Sequence, residues 1–298
     1  MLQRILEHVG RLLPEAKRFP TERRLRGWLD QQRLNRADYV IVSFGKSGRT
    51  WLRVMISRVY QRRHALSDDL IEYSNYHRAN AALPRVLFTH DNYLRDYTGQ
   101  GGLKAAYAGK RILLLVRHPA DITMSQYFQW KHRMRPHKVL LNQYPQVDAA
   151  VTPYQFMMGA SGLPKVNAWL NEWGVALDTM NSTLVVRYED MRTDTASELR
   201  RIANFMQMNA TDAEVAEAVE WANFENMKQR EADAASSSDR LRAGDVDNPD
   251  SFKTRRAKVG GYQDYFDDVE VAAIADIITN TLDPRFGYGR GNRTLDTR

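Results

Sequence analysis

The chain has 298 residues, 43% of them hydrophobic, and a formal net charge of +7, enough to bury the core of one large domain and basic enough to favour anionic ligands. It contains no cysteine, which excludes disulfides and thiolate metal sites and agrees with a reducing cytoplasm. Its histidines show no HExxH spacing, so no metal is expected, and no run approaches the ~20 apolar residues of a membrane span.

Residues 1–30 pattern as one or two amphipathic helices, with Ile5, Leu6, Val9, Leu12 and Leu13 on one side and breaks at Pro14 and Pro20. Arg4, Glu7, Arg11, Glu15, Lys17 and Arg18 interrupt any unbroken apolar core of the signal-peptide kind. This segment is expected to cover a main domain at 31–290. Peripheral attachment to a membrane surface is the alternative its basic residues leave open.

The run Tyr39 to Val42 has the β-branched character of a strand buried in a parallel sheet. Leu52, Met55, Ile56 and Val59 then stand at i, i+3, i+4 and i+7, the stripe of a helix beginning near Ser47 to Thr50. Such a strand-loop-helix aims the free amides of the helix's first turn at the loop and attracts phosphate. Lys46 adds a full charge, Ser47 and Thr50 add hydroxyls, and Gly45 and Gly48 allow close backbone approach. The nucleotide-triphosphatase pattern Gly-x4-Gly-Lys-Ser/Thr fails, because Val40 stands where its first glycine belongs.

Residues 61–84 are polar and read as irregular. A strand at Arg85 to Thr89 ends in His90-Asp91-Asn92, which puts an imidazole at the C-terminal end of a strand, where parallel sheets carry chemistry. The strand Arg111 to Val116 runs into Arg117-His118-Pro119-Ala120-Asp121, and Pro119 suits the first turn of the next helix. Arg117 and Ser125 can therefore converge on one anion, as charged fork and hydroxyl donor.

Residues 131–164 read as a partly irregular excursion, followed by a helix at Pro164 to Trp173 and a strand at Thr183 to Arg187. Tyr188-Glu-Asp-Met191 and a helix carrying Leu199, Ile202, Phe205 and Met206 come next. Residues 228–251 have few large apolar groups and read as a long functional or mobile loop. It ends in a basic stretch from Arg255 to Phe266, and a last helix, Val269 to Leu282, turns Val271, Ile274, Ile277 and Ile278 inward before a basic tail at 291–298. The fold class expected is α/β: a single domain with a central parallel sheet flanked by helices and a P-loop-like phosphate-binding strand-loop-helix.

Five of these stretches, in the same order, resemble the cytosolic-type sulfotransferases. Phe44-Gly-Lys-Ser-Gly-Arg-Thr-Trp51 is similar to the family's 5′-phosphosulfate loop, Tyr-Pro-Lys-Ser-Gly-Thr-Thr-Trp, with Gly45 for proline and Arg49 for threonine. Thr89-His90 resembles the end of Lys-Thr-His, whose histidine is the catalytic base, but Phe88 replaces the lysine, and Arg49 and Lys131 are the cations available to substitute. Arg117 to Ser125 resembles the 3′-phosphate site Arg-(Asp/Asn)-Pro-x-Asp-x-x-x-Ser, with His118 at the acidic or amide position. Tyr188-Glu-Asp-Met and Phe224-Glu-Asn-Met227-Lys resemble stretches whose aromatic residues contact adenine, with Ala222 in place of a threonine. Arg255-Arg256-Ala257 resembles Arg-Lys-Gly, with alanine for the glycine. The family's dimer motif would fall at Gln263 to Ala272 and is not kept, so the oligomeric state is open.

The resemblance implies sulfonate transfer from 3′-phosphoadenosine 5′-phosphosulfate (PAPS) to an acceptor hydroxyl, with adenosine 3′,5′-bisphosphate (PAP) as product and no metal. It implies His90 and Lys46 as catalytic residues. The implied cofactor contacts are Lys46, Ser47, Gly48, Arg49, Thr50, Trp51, Arg117, Ser125, Tyr188, Phe224, Met227, Arg255, Arg256 and Ala257, with the 228–251 loop folding over them. The acceptor class is a carbohydrate, glycolipid, phenol or alcohol; the basic surface favours a sugar or lipid-linked hydroxyl, and hydrophobic acceptors are equally compatible with the residues. No nucleic-acid motif with interleaved aromatics is present. A nucleotide-dependent kinase, which would need magnesium, and an inactive module binding nucleotide or acidic polymer are the competing readings.

Overall fold

The computed structural model describes residues 13–66, 70–72, 76–99, 104–148, 150–232 and 256–289. In chain order its helices and strands are α1 (Glu15–Arg36), β1 (Tyr39–Ser43), α2 (Arg49–Arg63), β2 (Val86–Thr89), α3 (Leu94–Thr98), β3 (Arg111–Val116), α4 (Pro119–His132), α5 (Pro136–Leu141), α6 (Pro153–Met158), α7 (Leu163–Leu177), β4 (Thr183–Arg187), α8 (Tyr188–Thr193), α9 (Thr195–Phe205), α10 (Asp212–Trp221), α11 (Phe224–Ala232) and α12 (Asp268–Thr281).

All strand pairs are parallel and the sheet order is β2-β1-β3-β4. Every residue of β1 is buried, as an apolar run covered on both faces requires. Strand alternation divides the core. Val40, Val42, Ile112, Leu114 and Val116 face one cluster with Ile122 of α4, Leu170 and Trp173 of α7 and Ile274 and Ile278 of α12. Tyr39, Ile41, Leu113 and Leu115 face the other, against Leu52, Met55, Ile56 and Val59 of α2, Leu199 and Ile202 of α9 and Val215 of α10. The helical stripe read after the loop is thus the face α2 lays on the sheet, each fully buried side chain contributing ~1.5–3 kcal/mol.

Expectations for the N-terminal helix, for residues 61–84 and for the 228–251 loop are corrected. Pro20 does not break the first helix: α1 runs unbroken through it and across residue 30 to Arg36. Proline in a helix interior costs ~3 kcal/mol, and tertiary anchors offset it here. Arg23 donates to Asn92 O at 3.1 Å and Leu141 O at 2.8 Å, and a Cβ on Gly27 would sit 2.3 Å from Tyr93 O, so α1 packs tightly against the segment entering α3. The described residues between 61 and 84 are not all irregular: α2 continues to Arg63, and short 3₁₀ turns at Leu70–Glu72 and Tyr76–Arg78 bury Leu70, Ile71 and Tyr76. The excursion at 131–164 holds α5 and α6, and α11 occupies the start of the expected 228–251 loop. The remainder of that loop, Arg255, residues 1–12 and the 291–298 tail lie outside the described residues.

Candidate functional site

Parallel pairing in register brings four strand ends together: Val42 pairs with Thr89, Ser43 with Leu115, and Val116 with Arg187. The residues that follow are the Phe44–Gly48 loop, His90, Arg117 and Tyr188. The chain leaves β1 for β2 on one side and then returns to β3 on the other, so this rim is also the point where strand order reverses, the usual ligand crevice of an open α/β sheet.

The loop after β1 is shaped by left-handed backbone. Lys46 has φ +74° and Gly48, the residue before α2, has φ +94°. Left-handed residues in such a turn can aim backbone N–H groups into one concavity suited to an anion. The first turn of α2 carries no acidic side chain to compete. A cavity of about 340 Å³ opens over the loop, with Lys46, Gly48, Arg49, Thr50 and Trp51 in its wall. Ser47 is not in that wall. Its side chain is buried, and its hydroxyl makes no hydrogen bond among the described residues.

His90 also lines this cavity. Its Nδ1 lies 2.7 Å from Ser43 O and its Nε2 lies 2.7 Å from Arg49 Nη2. A carbonyl only accepts and a guanidinium only donates, so these partners assign the proton to Nδ1 and leave the lone pair on Nε2. Burial, with Arg49 reinforcing it, pushes the imidazole down to about 3, so it is neutral at physiological pH. Arg49 therefore places a guanidinium beside His90, while Lys131 Nζ donates to Tyr127 OH at 2.8 Å. Phe88 sits edge-on to Tyr76 with the Arg53 guanidinium 4.4 Å from its centroid. Neighbouring Asp91 accepts from Tyr107 OH at 2.8 Å and pairs with Lys104 at 2.8 Å, which fits a structural carboxylate.

Arg117 and Ser125 meet in the same cavity, joined there by Arg256, Ala257 and Lys258. Arg117 donates to Lys46 O at 3.2 Å and Lys258 O at 3.3 Å, and so ties the loop to the segment before α12. Sequence reasoning gave no role to Asp121, one turn along α4. It is buried and accepts Gly260 N–H at 2.9 Å and Tyr262 N–H at 3.0 Å, which fixes that segment over the cavity. Its position four residues after Arg117 was the available signal. His118 stacks on Tyr262, ring centroids 5.1 Å apart and planes 9° apart, and burial pushes it down to about 4.

The remaining wall is aromatic. Tyr188 covers Gly48 so closely that a Cβ there would lie 2.6 Å from its ring. Trp51 meets Tyr188 edge-on at 5.8 Å and donates its indole N–H to Ala222 O at 2.8 Å; Phe224 and Met227 of α11 complete this side.

A family model described as a sulfotransferase domain matches residues 36–284. The chain belongs to the sulfotransferase domain family. It is 24% identical over 277 residues to cytosolic sulfotransferase 12 of Arabidopsis thaliana, covering 84% of this chain and 77% of that protein. It is 24% identical over 222 residues to amine sulfotransferase of Oryctolagus cuniculus, covering 67% of this chain and 66% of that one. Among solved structures, a mouse sulfotransferase complexed with PAP superposes with a TM-score of 0.53 at 20% identity, covering 83% of this chain and 84% of the other. Retinol dehydratase in complex with retinol and PAP gives 0.55 at 16%, covering 86% and 83%. At these identities the structural likeness is one of fold.

This sulfotransferase has a second cavity of about 260 Å³ on the other side of His90, with His90 and Gly45 in both walls. Arg23, Arg95, Lys104 and Lys165 line it, together with Asp91, Glu172, Trp169 and Tyr144. None of these four cations was singled out from the sequence; they come from α1, α3, the approach to β3 and α7. Among the described residues, no cluster of three His, Cys, Asp or Glu side chains is arranged for a metal, and no helix is long and apolar enough to cross a membrane.

Proposed function

We propose that the chain transfers the sulfonate of PAPS to an acceptor hydroxyl by in-line displacement, with His90 as general base. The observation that carries the reading is the neutral His90 imidazole standing between two cavities, its Nε2 lone pair directed at Arg49. The first cavity suits the donor. It offers a left-handed amide cradle and Lys46 for the 5′ side, Arg117, Ser125 and Arg256 for the 3′ side, and Tyr188 and Phe224 for adenine. Arg255 is proposed to join the 3′ contacts on the resemblance alone.

Bound there, PAPS supplies the sulfonate, and its sulfur–oxygen bond to the 5′-phosphate breaks as the acceptor oxygen bonds to sulfur. His90 Nε2 takes the acceptor's proton once Arg49 swings off it towards the sulfonate. Lys46 would stabilise the charge that develops on the leaving phosphate, and Arg49 the charge of the sulfonate. Ser43 O holds the Nδ1–H and fixes the ring for the transfer.

Calorimetric titration with PAP, beside ATP and AMP with and without magnesium, tests the donor site. Magnesium-independent binding of PAP alone, lost in Arg117→Ala, is expected. Equal binding of AMP would overturn the 3′ pocket, and magnesium-dependent ATP binding would favour a kinase. His90→Ala should then lower turnover ~10²- to 10⁴-fold with PAP affinity retained.

A further inference from the structure

Behind His90, the second cavity has an electrostatic character that the donor site does not explain. Lys104 is neutralised between Asp91 at 2.8 Å and Glu172 at 2.7 Å, and Arg23 pairs with Asp96 at 2.9 Å. Arg95 reaches only the already shared Glu172, at 3.6 Å. Lys165 has no carboxylate within ion-pair reach among the described residues. Its Nζ donates to Asn142 O at 2.9 Å and sits 4.1 Å from the Tyr144 ring centroid, which leaves two of its three N–H donors for a ligand. A half-buried ammonium held this way costs free energy unless an anion completes it.

The rest of the wall is matched to a hydroxylated ligand. Gln126, Gln129 and Asn92 offer amide donors and acceptors, and Trp169 gives an aromatic face beside His90. Phe44, Met134 and Ala168 add apolar surface to the same wall, but a wholly apolar acceptor would leave Lys165 and these amides without partners, at a cost for each group.

We infer that the second cavity is built for a sugar bearing a carboxylate or phosphate, with the anionic group held by Lys165 and Arg95 and a ring hydroxyl presented to His90. This rests on the sulfotransferase reading of the donor site and names the acceptor class for it. Burial, with Arg23 and Arg95 reinforcing it, pushes the Lys165 amine down to about 8, as expected of a cation awaiting its counter-ion.

The test is calorimetric titration of the PAP-loaded protein with glucose, glucuronate, glucose 6-phosphate and 4-nitrophenol. A charged sugar should bind at least about tenfold more tightly than glucose, the worth of one charge-assisted contact. Lys165→Met should erase the difference, Lys165→Arg should keep most of it, and all three proteins should bind PAP alike. Glucuronate against glucose 6-phosphate tells carboxylate from phosphate. Charged sugars no better than glucose, 4-nitrophenol tighter than both, or a preference that survives in Lys165→Met and Arg95→Met would each overturn the inference while leaving the donor site intact. A protein that does not bind PAP would instead overturn the sulfotransferase reading itself.

Discussion

Arg49 Nη2 approaches His90 Nε2 to 2.7 Å, so the one lone pair of the imidazole is capped by a guanidinium. A cation in that place disfavours the imidazolium, and in the mechanism proposed above it also supplies positive charge to the sulfonate. Removing it should therefore act in two ways. Arg49→Leu should lower kcat by ~10² to 10³, the usual loss for one preorganised donor to a transition state. It should also raise the His90 pKa, so that the acid limb of the kcat/KM profile moves to higher pH. A variant faster than wild type would mean that Arg49 only blocks the base.

Stability should respond to acid through His90 and His118. Both are half-buried and neutral in the folded chain, pushed down by desolvation to about 3 and about 4, whereas the unfolded chain binds their protons below ~6.5. Between those values the unfolded state holds more protons, so stability is full above about pH 6.5 and falls as pH drops towards 4. Urea midpoints from pH 7 to 4 should fall less steeply in His90→Gln and His118→Gln than in the parent. Parallel pH slopes would show that carboxylates alone set the acid sensitivity.

How far the sequence reveals this molecule follows from the range of each interaction. Tyr39 to Val42 and Arg111 to Val116 are legible as buried strands because both faces of a parallel sheet demand apolar side chains, and the stripe from Leu52 to Val59 shows in the same way. His90, Arg117 and Tyr188 are legible because each directly follows a strand. The second cavity is not, because Arg23, Arg95, Lys104 and Lys165 are brought together by packing between α1, α3 and α7 and share no local spacing. Pro20 misleads for a related reason: helix propensity is local, while the contacts of Arg23 and Gly27 that hold α1 together are not.

Asp121 ties α4 to the segment that lies over the first cavity. It receives two backbone N–H groups, from Gly260 and Tyr262, and hydrogen bonds to a charged group are worth ~1.5–3 kcal/mol each. Asp121→Ala should free the 256–262 segment, weaken PAP at least about tenfold, and speed tryptic cutting after Arg256 and Lys258. Asp121→Asn, which keeps one good acceptor, should fall between. PAP affinity equal to wild type in Asp121→Ala would separate this segment from the donor site.

Gly48 and Ala257 both line the first cavity with left-handed backbones, φ +94° and +47°, but only one is a glycine. A side chain in that region costs ~1–2 kcal/mol, so Ala257 holds strain that Gly48 avoids. At Gly48 an added methyl would also meet the Tyr188 ring at 2.6 Å and displace the aromatic wall. Gly48→Ala should lower the denaturation midpoint and abolish PAP binding. Ala257→Gly should bind PAP as tightly as wild type or more so, because the strain goes and only one methyl group is lost from the cavity wall. PAP titration of the two variants side by side checks both signs, and a weaker Ala257→Gly would show that the flexibility gained by the free segment outweighs the strain relieved.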